Sequence, residues 1–458
     1  MNSNNYQYLK NDQGKLQYAN FEFCPPQISD RRIILPYRLS GGIEPDIVFN
    51  ETLTLPEQLP LPNPADPVVQ SLLSGVHRAF GVSYFKAAIP PQVIAEPVTL
   101  EDAAFWNLLY GTGMGEFWYR NNLNPQIHAP RFPDGATTSI SEVAKPSEER
   151  VLILVGGGKD SVVAREVVRQ AGVAADAISL GTSFWQQRSA QMMGLRHLVI
   201  DRQIDTQLFA LNRQGAWNGH IPISACIAFI TTLVAYIGGY SAVIAANERS
   251  ANESNLSWHG ISINHQWSKS FEFEQQFNAW RQRHLQGGGP HYFSLLRTLG
   301  ELRIAEAFAR HSQYFADFAS CNANFRHQLS SAPPRWCGHC PKCVFVQLIL
   351  APFFDEAIVQ NIFGGDFLAN PDNLPIIEEL VGISGVKPFE CVGTHEESLA
   401  ALAKLHSLGR LRQHLPHWYS ERIAPMISNA DQLWEKARAI YGEHQIPTLW
   451  QERLNAYL

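Results

Sequence analysis

The stretch VLILVGGGKDS, residues 151–161, decides the fold of this 458-residue chain. Residues 151–155 form a short apolar run with the composition of a buried strand. Residues 160–171 have helical periodicity, and Gly172 closes the predicted helix. A strand, a tight glycine turn and a helix in this order are typical of a parallel sheet that carries helices on both faces.

The sequence on either side of this unit predicts an α/β protein in three parts. Residues 175–180 and 197–200 are further predicted strands, so we expect residues 149–350 to form a domain around a parallel sheet. We expect residues 1–148 to form a mixed α/β domain that binds substrate. Residues 351–458 predict a mostly helical region with no obvious chemistry. Ligands of open parallel sheets bind at the carboxyl ends of the strands.

Local signals mark individual elements within these parts. Residues 21–23, 33–39 and 47–55 have strand-like composition. Asp66 followed by Pro67 predicts the start of a helix. Near the other end of the chain, Thr394 and Glu397 predict a capping box. Ser428 is predicted to cap one more helix.

The glycine loop is suited to binding a phosphate chain. Its three glycines allow backbone N–H groups to approach phosphate oxygens, and the following helix N-terminus adds a partial positive charge. Lys159 supplies a full charge, Ser161 a hydroxyl, and Asp160 a carboxylate that can hold Mg²⁺ or cap the helix. The spacing fits neither the Walker nor the Rossmann pattern. A glycine-rich turn without a ligand is the alternative interpretation.

Composition and charge narrow the class of protein. Hydrophobic residues make up 45% of the chain and charged residues 17%, which favours a folded globular protein. Lys and Arg total 36 against 42 acidic residues, so we expect no nucleic-acid partner. Residues 1–16 are polar and lack the apolar core of a signal peptide, which predicts a cytoplasmic protein.

The uncharged stretch at residues 221–247 is long enough to cross a bilayer. Gly238 and Gly239 divide it, however, and Thr231 and Thr232 interrupt its apolar run. We therefore predict a buried helix, a turn and a short strand at residues 243–246, and no membrane span.

Four of the seven cysteines lie close together in the sequence. Cys337, Cys340 and Cys343 belong to the stretch CGHCPKC, and Cys321 precedes it by sixteen residues. Such clustering favours metal over disulfides, and four thiolates complete a tetrahedral zinc site with no position left to activate water. We predict structural Zn²⁺, with His339 outside the ligand set. An iron–sulfur cluster and free cysteines are the alternatives.

The glycine loop resembles the PP-loop of the adenine-nucleotide hydrolase superfamily, whose usual form is Ser-Gly-Gly-x-Asp-Ser. Gly156 stands in place of the first serine, which removes one hydroxyl donor but leaves the backbone cradle. The resemblance implies a HUP-like sheet domain that splits ATP into AMP and pyrophosphate with Mg²⁺. It also implies a second substrate-binding loop at residues 247–253, for which a solvated loop is the alternative. The implied ATP-binding residues are Gly156, Gly157, Gly158, Lys159, Asp160 and Ser161, of which the last three are also implied to be catalytic.

A second resemblance extends along the chain at least to Val346. It is carried by GVSYFK at 81–86, GEFWYRN at 115–121, GGGKDS at 156–161, NHQWSKS at 264–270 and WCGHCPKC at 336–343. These stretches are similar to those of bacterial UDP-N-acetylmuramoyl-L-alanyl-L-glutamate epimerases. Such enzymes invert the terminal L-glutamate of a nucleotide-linked peptidoglycan precursor. The implied partners are ATP and UDP-N-acetylmuramoyl-L-alanyl-L-glutamate, with Mg²⁺ as cofactor.

The implied reaction gives the splitting of ATP a physical purpose. The α-proton beside a carboxylate is very weakly acidic, and adenylation removes the negative charge so that a base can take the proton. Cyclisation onto the preceding amide, reprotonation on the opposite face and hydrolysis would then give the D-residue. Candidates for the base are His220, Cys226, Glu248, His265 and Lys269. Candidate substrate contacts are Lys86, Arg120, Asn247, Glu248 and Lys269. Each of these residues also has an ordinary structural interpretation.

Two other functions remain open from the sequence. The chain is similar in part to 7-cyano-7-deazaguanine synthase, which also has a PP-loop and a cysteine-rich zinc site, so a PP-loop ligase or a nucleobase- or tRNA-modifying enzyme is one alternative. That family is much shorter and lacks the first domain. A non-catalytic nucleotide-binding regulatory protein is the other, and the intact Lys159, Asp160 and Ser161 argue against it.

Overall fold

The computed structural model describes residues 15–136, 143–144, 146, 149–325 and 334–458. Most of the polar N-terminal stretch lies outside these residues, as does residue 148, after which a domain boundary is predicted. The strands are β1 Asn20–Phe23, β2 Gln27–Ser29, β3 Arg32–Ser40, β4 Ile47–Thr54, β5 Gln92–Ile94, β6 Arg150–Leu154, β7 Ala174–Leu180, β8 His197–Gln203, β9 Ala242–Ala245, β10 Leu256–Trp258, β11 Ile261–Ile263 and β12 His291–Ser294.

The α-helices are distributed along the whole chain. In order they are α1 Pro67–Phe80, α2 Val82–Phe85, α3 Leu100–Tyr110, α4 Gly115–Arg120, α5 Pro125–His128, α6 Lys159–Gln170, α7 Phe184–Met192, α8 Thr206–Arg213, α9 Ile223–Ile237, α10 Phe271–Leu285, α11 Glu301–Phe308, α12 Pro341–Leu350, α13 Glu356–Phe363, α14 Leu374–Val381, α15 His395–Ser407, α16 Leu415–Trp418, α17 Ala430–Arg438 and α18 Thr448–Tyr457.

One large sheet crosses the molecule in the order β12-β9-β6-β7-β8-β4-β3-β1-β5, with β2 paired to β3. The strands from β12 to β8 are mutually parallel. The sheet then continues through the antiparallel pair of β8 and β4 into the N-terminal strands. Strands from both sides of residue 148 therefore share one sheet. A separate two-stranded sheet joins β10 and β11.

The parallel strands are covered on both faces. Successive side chains of a strand point to opposite faces. Along β6, Leu152 packs in a core with N-terminal helices and α9, whereas Val151 and Ile153 pack in a second core with α6, α11 and C-terminal helices. Ile178 and Ala177 of β7 divide between the same two cores. The predicted arrangement of helices on both faces is thus confirmed.

Most of the element predictions are confirmed. The three N-terminal strand predictions coincide with β1, β3 and β4, and Asp66 caps α1 with Pro67 in its first turn. Residues 221–247 contain α9, a turn at Gly238–Gly239 and β9, as predicted. Within the described residues, no helix has the length and apolarity needed to cross a membrane.

The C-terminal part is mostly helical, as predicted. Thr394 and Glu397 form the predicted capping box of α15. The prediction that Ser428 caps a helix is wrong, because the next residue, Asn429, accepts from Gln432 N at the start of α17.

Candidate active site

The glycine loop leaves the carboxyl end of β6, which lies next to β9 in the sheet. Gly157 has φ +90°, a conformation that residues with a side chain rarely adopt. A Cβ atom added to Gly158 would lie 2.7 Å from Ser320 Oγ, so the loop packs closely against residues 319–320. A Cβ atom at Gly156 would meet nothing within 4 Å. The loop therefore favours glycine at its second position, packs closely at its third and has open space beside its first.

Helix α6 begins directly behind this loop. Its N-cap is Gly158, which has no side chain to accept from the first backbone N–H groups. The Ser161 hydroxyl donates to Gly158 O at 3.0 Å instead of capping. Backbone donors without a side-chain cap, together with the positive end of the helix dipole, favour an anion at this position.

The Lys159 ammonium lies between two carboxylates. Its side chain is buried, and Nζ contacts Asp160 Oδ1 at 2.5 Å and the buried carboxylate of Glu301. Burial lowers the pKa of Lys159, but Asp160 and Glu301 outweigh burial and raise it above its usual value. Burial raises the pKa of Glu301 to about 7, against the opposing effect of Lys159. Lys159 is therefore a fixed cation that also orients Asp160.

The loop after β9 brings Asn247 and Glu248 to the same edge of the sheet. Asn247 Nδ2 donates to Ser294 Oγ at 3.0 Å, and Glu248 is buried. Burial and the nearby Asp160 raise the pKa of Glu248, although Lys269 opposes this. Arg297, fully buried, donates to Glu248 O at 2.8 Å and to Lys269 O at 2.6 Å. The Arg297 side chain thus holds the backbone of two predicted site residues together.

A cysteine that the sequence did not single out completes this cluster. Lys269 Nζ donates to Cys391 Sγ at 3.1 Å. Burial raises the pKa of Cys391, but Lys269 and a hydrogen bond from His265 outweigh burial and hold it well below its usual value. Attraction to Cys391 in turn raises the pKa of Lys269. Lys269 and His265 therefore favour the ionised form of the Cys391 thiol. Residues 351–458, in which the sequence predicts no obvious chemistry, thus contribute one cysteine to this cluster.

His265 connects the thiolate to the N-terminal part of the chain. Its Nδ1 lies 2.5 Å from Glu116 Oε2. Burial lowers the pKa of His265, but the hydrogen bonds with Cys391 and Glu116 outweigh burial and raise it to about 9. The His220 ring lies tilted against that of His265, with the ring centroids 4.5 Å apart, and burial lowers the pKa of His220 to about 3. Arg120 Nε donates to Glu116 Oε1 at 2.6 Å.

Glu116, His220 and His265 are close enough to share an ion, since their ligand atoms lie within 4.8 Å of one another. The hydrogen bond between His265 and Glu116 already uses one atom of each. We interpret Glu116 and His265 as a hydrogen-bonded carboxylate–imidazole pair, with the His220 ring beside it.

Two predicted site residues lie apart from the cluster. Lys86 is buried and donates to Asn218 Oδ1 and Gly219 O, both at 2.8 Å, and burial lowers its pKa to about 8. It borders the segment that carries His220. Cys226 is buried between α1 and α9, with Sγ 3.3 Å from Ala79 O, and burial raises its pKa to about 12. Its thiol belongs to the apolar core.

The four clustered cysteines come together as the sequence predicts. The Sγ atoms of Cys321, Cys337, Cys340 and Cys343 lie within 4.8 Å of one another, and those of Cys337 and Cys343 are 3.7 Å apart. Zinc–sulfur bonds of about 2.3 Å in a tetrahedron require sulfur atoms about 3.8 Å apart, so four soft thiolates at this spacing fit Zn²⁺. His339 is exposed and contacts Cys337 O through Nδ1, which agrees with its predicted place outside the ligand set.

Fold and site together define an α/β protein with a glycine loop at the edge of a parallel sheet. Beside the loop lies a buried acid–base cluster that contains Glu248, His265, Lys269 and Cys391. Cys321, Cys337, Cys340 and Cys343 form a separate group, the cysteine cage. The MurL N-terminal domain family matches residues 10–295, and the MurL C-terminal domain family matches residues 317–432. The chain belongs to the family of UDP-N-acetyl-alpha-D-muramoyl-L-alanyl-L-glutamate epimerases.

Individual relatives support this assignment over nearly the whole chain. The protein of that name from Xanthomonas oryzae pv. oryzae is 39% identical over 450 residues, which cover 96% of this chain and 98% of the relative. Those from a Micromonospora species and from Salinispora tropica are 42% identical over 377 residues and 41% identical over 384 residues. These cover 81% and 82% of this chain and 83% and 82% of the relatives. No solved structure matches the chain.

Proposed function

We propose that this protein inverts the terminal L-glutamate of UDP-N-acetylmuramoyl-L-alanyl-L-glutamate to D-glutamate through a carboxyl adenylate, releasing AMP and pyrophosphate. The observation that carries the proposal is the near-full-length similarity to proteins named for this epimerisation. The glycine loop with its uncapped helix N-terminus adds a place for the ATP phosphates. We infer from the same loop that the sheet domain is of the PP-loop, HUP-like kind.

Each group of the loop has a part in the proposed adenylation. The backbone N–H groups of residues 156–158 and the start of α6 bind phosphate oxygens. Asp160, whose side chain is 28% exposed, offers carboxylate oxygens of the kind that Mg²⁺ prefers. When bound, Mg²⁺ would neutralise charge on the phosphates. Lys159, held by Glu301, supplies a fixed positive charge beside them.

Adenylation prepares the α-carbon for loss of its proton. An ionised carboxylate resists the further negative charge that loss of the α-proton would create. Of the two carboxyl groups of the glutamyl residue, the α-carboxyl group is bonded to Cα, the centre to be inverted, so we propose that this group is adenylated. Once its carboxylate charge is removed, the acyl oxygen can accept the electron pair that the departing proton leaves behind. Reprotonation from the opposite face and attack of water on the acyl carbon then give the D-product and AMP.

Arg120, Lys269, Asn247, Glu248 and Lys86 are proposed to bind the precursor. Arg120 and Lys269 border the acid–base cluster and can meet anionic groups. Asn247 and Glu248 lie beside the loop at the end of β9. Lys86 donates to two oxygens of the segment that carries His220, and its third N–H donor can meet an anionic group of the precursor. The cysteine cage is proposed to bind one structural Zn²⁺.

The test is turnover of the L-glutamyl precursor with ATP and Mg²⁺ in heavy water. We expect AMP and pyrophosphate, a D-glutamyl product, and one solvent deuteron at its α-carbon by mass spectrometry. Free glutamate should react poorly, because it lacks the acyl amide and the UDP-muramoyl group that supply binding energy. A product heavier by an amide, or retained L-configuration with full ATP consumption, would exclude the proposed function.

A further inference from the structure

We propose that Cys391, held by Lys269 and His265, takes the α-proton of the terminal glutamate. This inference rests on the proposed function, since it assigns the proton acceptor for that reaction. Nothing in the sequence motifs of the glycine loop or the cysteine cage pointed to this residue.

The argument begins with the protonation states in the cluster. A base must be deprotonated at working pH before it can act. Lys269 and His265 have raised pKa values and are therefore protonated near neutral pH. His220 is neutral, but taking a proton would make it a buried imidazolium, which burial disfavours, whereas a proton taken by Cys391 gives a neutral thiol. Cys391 is the member of this Lys–His–Cys group that carries an ionised, proton-accepting atom.

The second step concerns the arrangement around the sulfur. A thiolate, an imidazole within hydrogen-bond reach and a carboxylate that orients the imidazole form a recognised catalytic arrangement. Here His265, whose Nδ1 lies 2.5 Å from Glu116 Oε2, favours the ionised form of Cys391. Lys269 Nζ adds a full positive charge 3.1 Å from Sγ. Lys269 and His265 together stabilise the ionised sulfur.

The third step concerns how firmly the segment around Cys391 is held. Lys342 donates through its backbone N to Glu390 Oε2 at 3.0 Å and through Nζ to Cys391 O. Gln266 Nε2 donates to Val392 O at 3.3 Å. Contacts on both sides of Cys391 therefore fix the position of its sulfur, as a positioned general base requires.

Beside this segment lie two polar atoms that accept or donate no hydrogen bond within the part of the chain that the structure describes. Gln266 is buried, yet its Oε1 has no hydrogen-bond partner within the described residues, and neither does the buried His220 Nδ1. Buried polar atoms without partners are costly, and a bound ligand is one way to satisfy them. Both residues border His265, so the precursor that satisfies them would lie next to Cys391.

The same side chains connect Cys391 to the proposed ATP-binding loop. Lys269 Nζ contacts Cys391 Sγ, and Arg297 donates to both Lys269 O and Glu248 O. Glu248 follows β9, the strand beside β6, so Lys269 connects Cys391 to the sheet edge that carries the glycine loop. An acyl adenylate formed at the loop would thus be activated beside the thiolate.

The proposed step balances as follows. The Cα–H bond breaks as an S–H bond forms, and the electron pair moves into the activated acyl group to give an enolate. A solvent proton adds to Cα on the opposite face, and the Cys391 thiol returns its proton to solvent. Water then attacks the acyl carbon and releases AMP.

The test compares the wild-type protein with Cys391→Ala and Cys391→Ser, and uses Cys24→Ser as a matched control. Serine keeps the shape of the side chain but presents an un-ionised hydroxyl. Two reactions are followed with precursor, ATP and Mg²⁺: ATP–pyrophosphate exchange, which reports adenylation, and deuterium incorporation at Cα in heavy water. We expect both Cys391 variants to keep exchange within about threefold and to lose at least about 100-fold in deuterium incorporation. Cys24→Ser should retain both.

Several results would overturn the proposal. Deuterium incorporation within about threefold of wild type in Cys391→Ala would show that another group takes the proton. Loss of exchange in variants that melt like the wild type would assign Cys391 to adenylation or binding instead. A Cys391 peptide heavier by the acyl group would assign it as a nucleophile. If the wild-type protein shows neither reaction, the proposed function itself fails.

A second readout does not depend on turnover. Iodoacetamide reacts with thiolates, and Cys391 faces Lys269, His265 and Lys342 as cations and Glu390 as an acid. Burial raises the pKa of Cys24, so that thiol is protonated at pH 6. We expect peptide mapping to find the Cys391 peptide alkylated at least about tenfold faster than the Cys24 peptide at pH 6. Equal or slower labelling of Cys391 would contradict its ionised state.

Discussion

At the scale of single residues, the carboxylate of Asp160 carries the most direct prediction. It faces the glycine loop and pairs with Lys159 at 2.5 Å. Asp160→Asn keeps the shape but removes the charge that would hold Mg²⁺, so AMP release should fall at least about 100-fold while the melting temperature changes little. Asp317→Asn, which breaks a more exposed contact with Arg188, is the control. AMP release within threefold of wild type would contradict the assignment.

Two neighbouring glycines should respond in opposite ways to substitution. Gly157 has φ +90°, so Gly157→Ala would strain the backbone by about 1–3 kcal/mol. We expect it to reduce AMP formation at least about tenfold by distorting the phosphate cradle. Gly156 has open space beside it, so Gly156→Ser should fold normally and keep AMP formation within about threefold. The reverse order of activities would mean that the loop does not bind phosphate through its backbone.

The same residues show what the sequence could and could not predict about the site. Lys159 and Asp160 are neighbours in one motif, so the sequence alone predicts that their side chains lie close together. Glu301 lies 142 residues beyond Lys159, and Cys391 lies 122 residues beyond Lys269. Only the order of the strands brings such pairs together, and one sequence does not state that order. Glu116 lies in the motif GEFWYRN at 115–121, but its contact with His265 joins residues 149 positions apart, so the sequence did not predict that contact.

At the scale of elements, the N-terminus of α12 connects the cysteine cage to the proposed base. Cys340 caps this helix by accepting from Cys343 N at 3.4 Å, and Lys342 in its first turn reaches Cys391 O. Structural zinc contributes folding free energy. Metal analysis should find about one zinc per chain, and Cys340→Ser should lower both zinc content and melting temperature, whereas Cys24→Ser should change neither. A brown, iron-containing protein would refute the zinc assignment.

Element types were predictable where one periodic signal dominated. The alternation of apolar residues over 47–55 matches β4, whose burial alternates along Ile47–Thr54. Starts of helices were less certain, because several polar residues compete to cap. At α17 the side chain of Asn429, not that of Ser428, accepts from the helix. At α6 the helix starts at Lys159, one residue earlier than predicted, since Gly158 serves as its N-cap.

At the scale of the whole molecule, the continuous sheet joins the N-terminal strands to the strands that carry the glycine loop. The join is the antiparallel pair of β4 and β8, where Leu53 lies opposite Arg202. Arg202 Nε donates to Glu51 Oε1 at 2.5 Å, and Glu51 is completely buried. Arg202 also donates to Ser83 Oγ at 3.0 Å, which ties the helical layer to the same point.

This buried ion pair gives the last prediction. Glu51→Ala would leave the Arg202 guanidinium buried without its counter-charge, which typically costs about 3–5 kcal/mol. Because one sheet includes strands from both sides of the pair, thermal unfolding should remain a single transition with a lower midpoint, and AMP formation should be lost together with the fold. Glu356→Ala, which removes an exposed partner of Arg412, should cost less than about 1 kcal/mol. Calorimetry decides between the outcomes: two separate transitions, or equal losses in the two variants, would mean that the β4–β8 join does not couple the N-terminal strands to the loop-bearing strands.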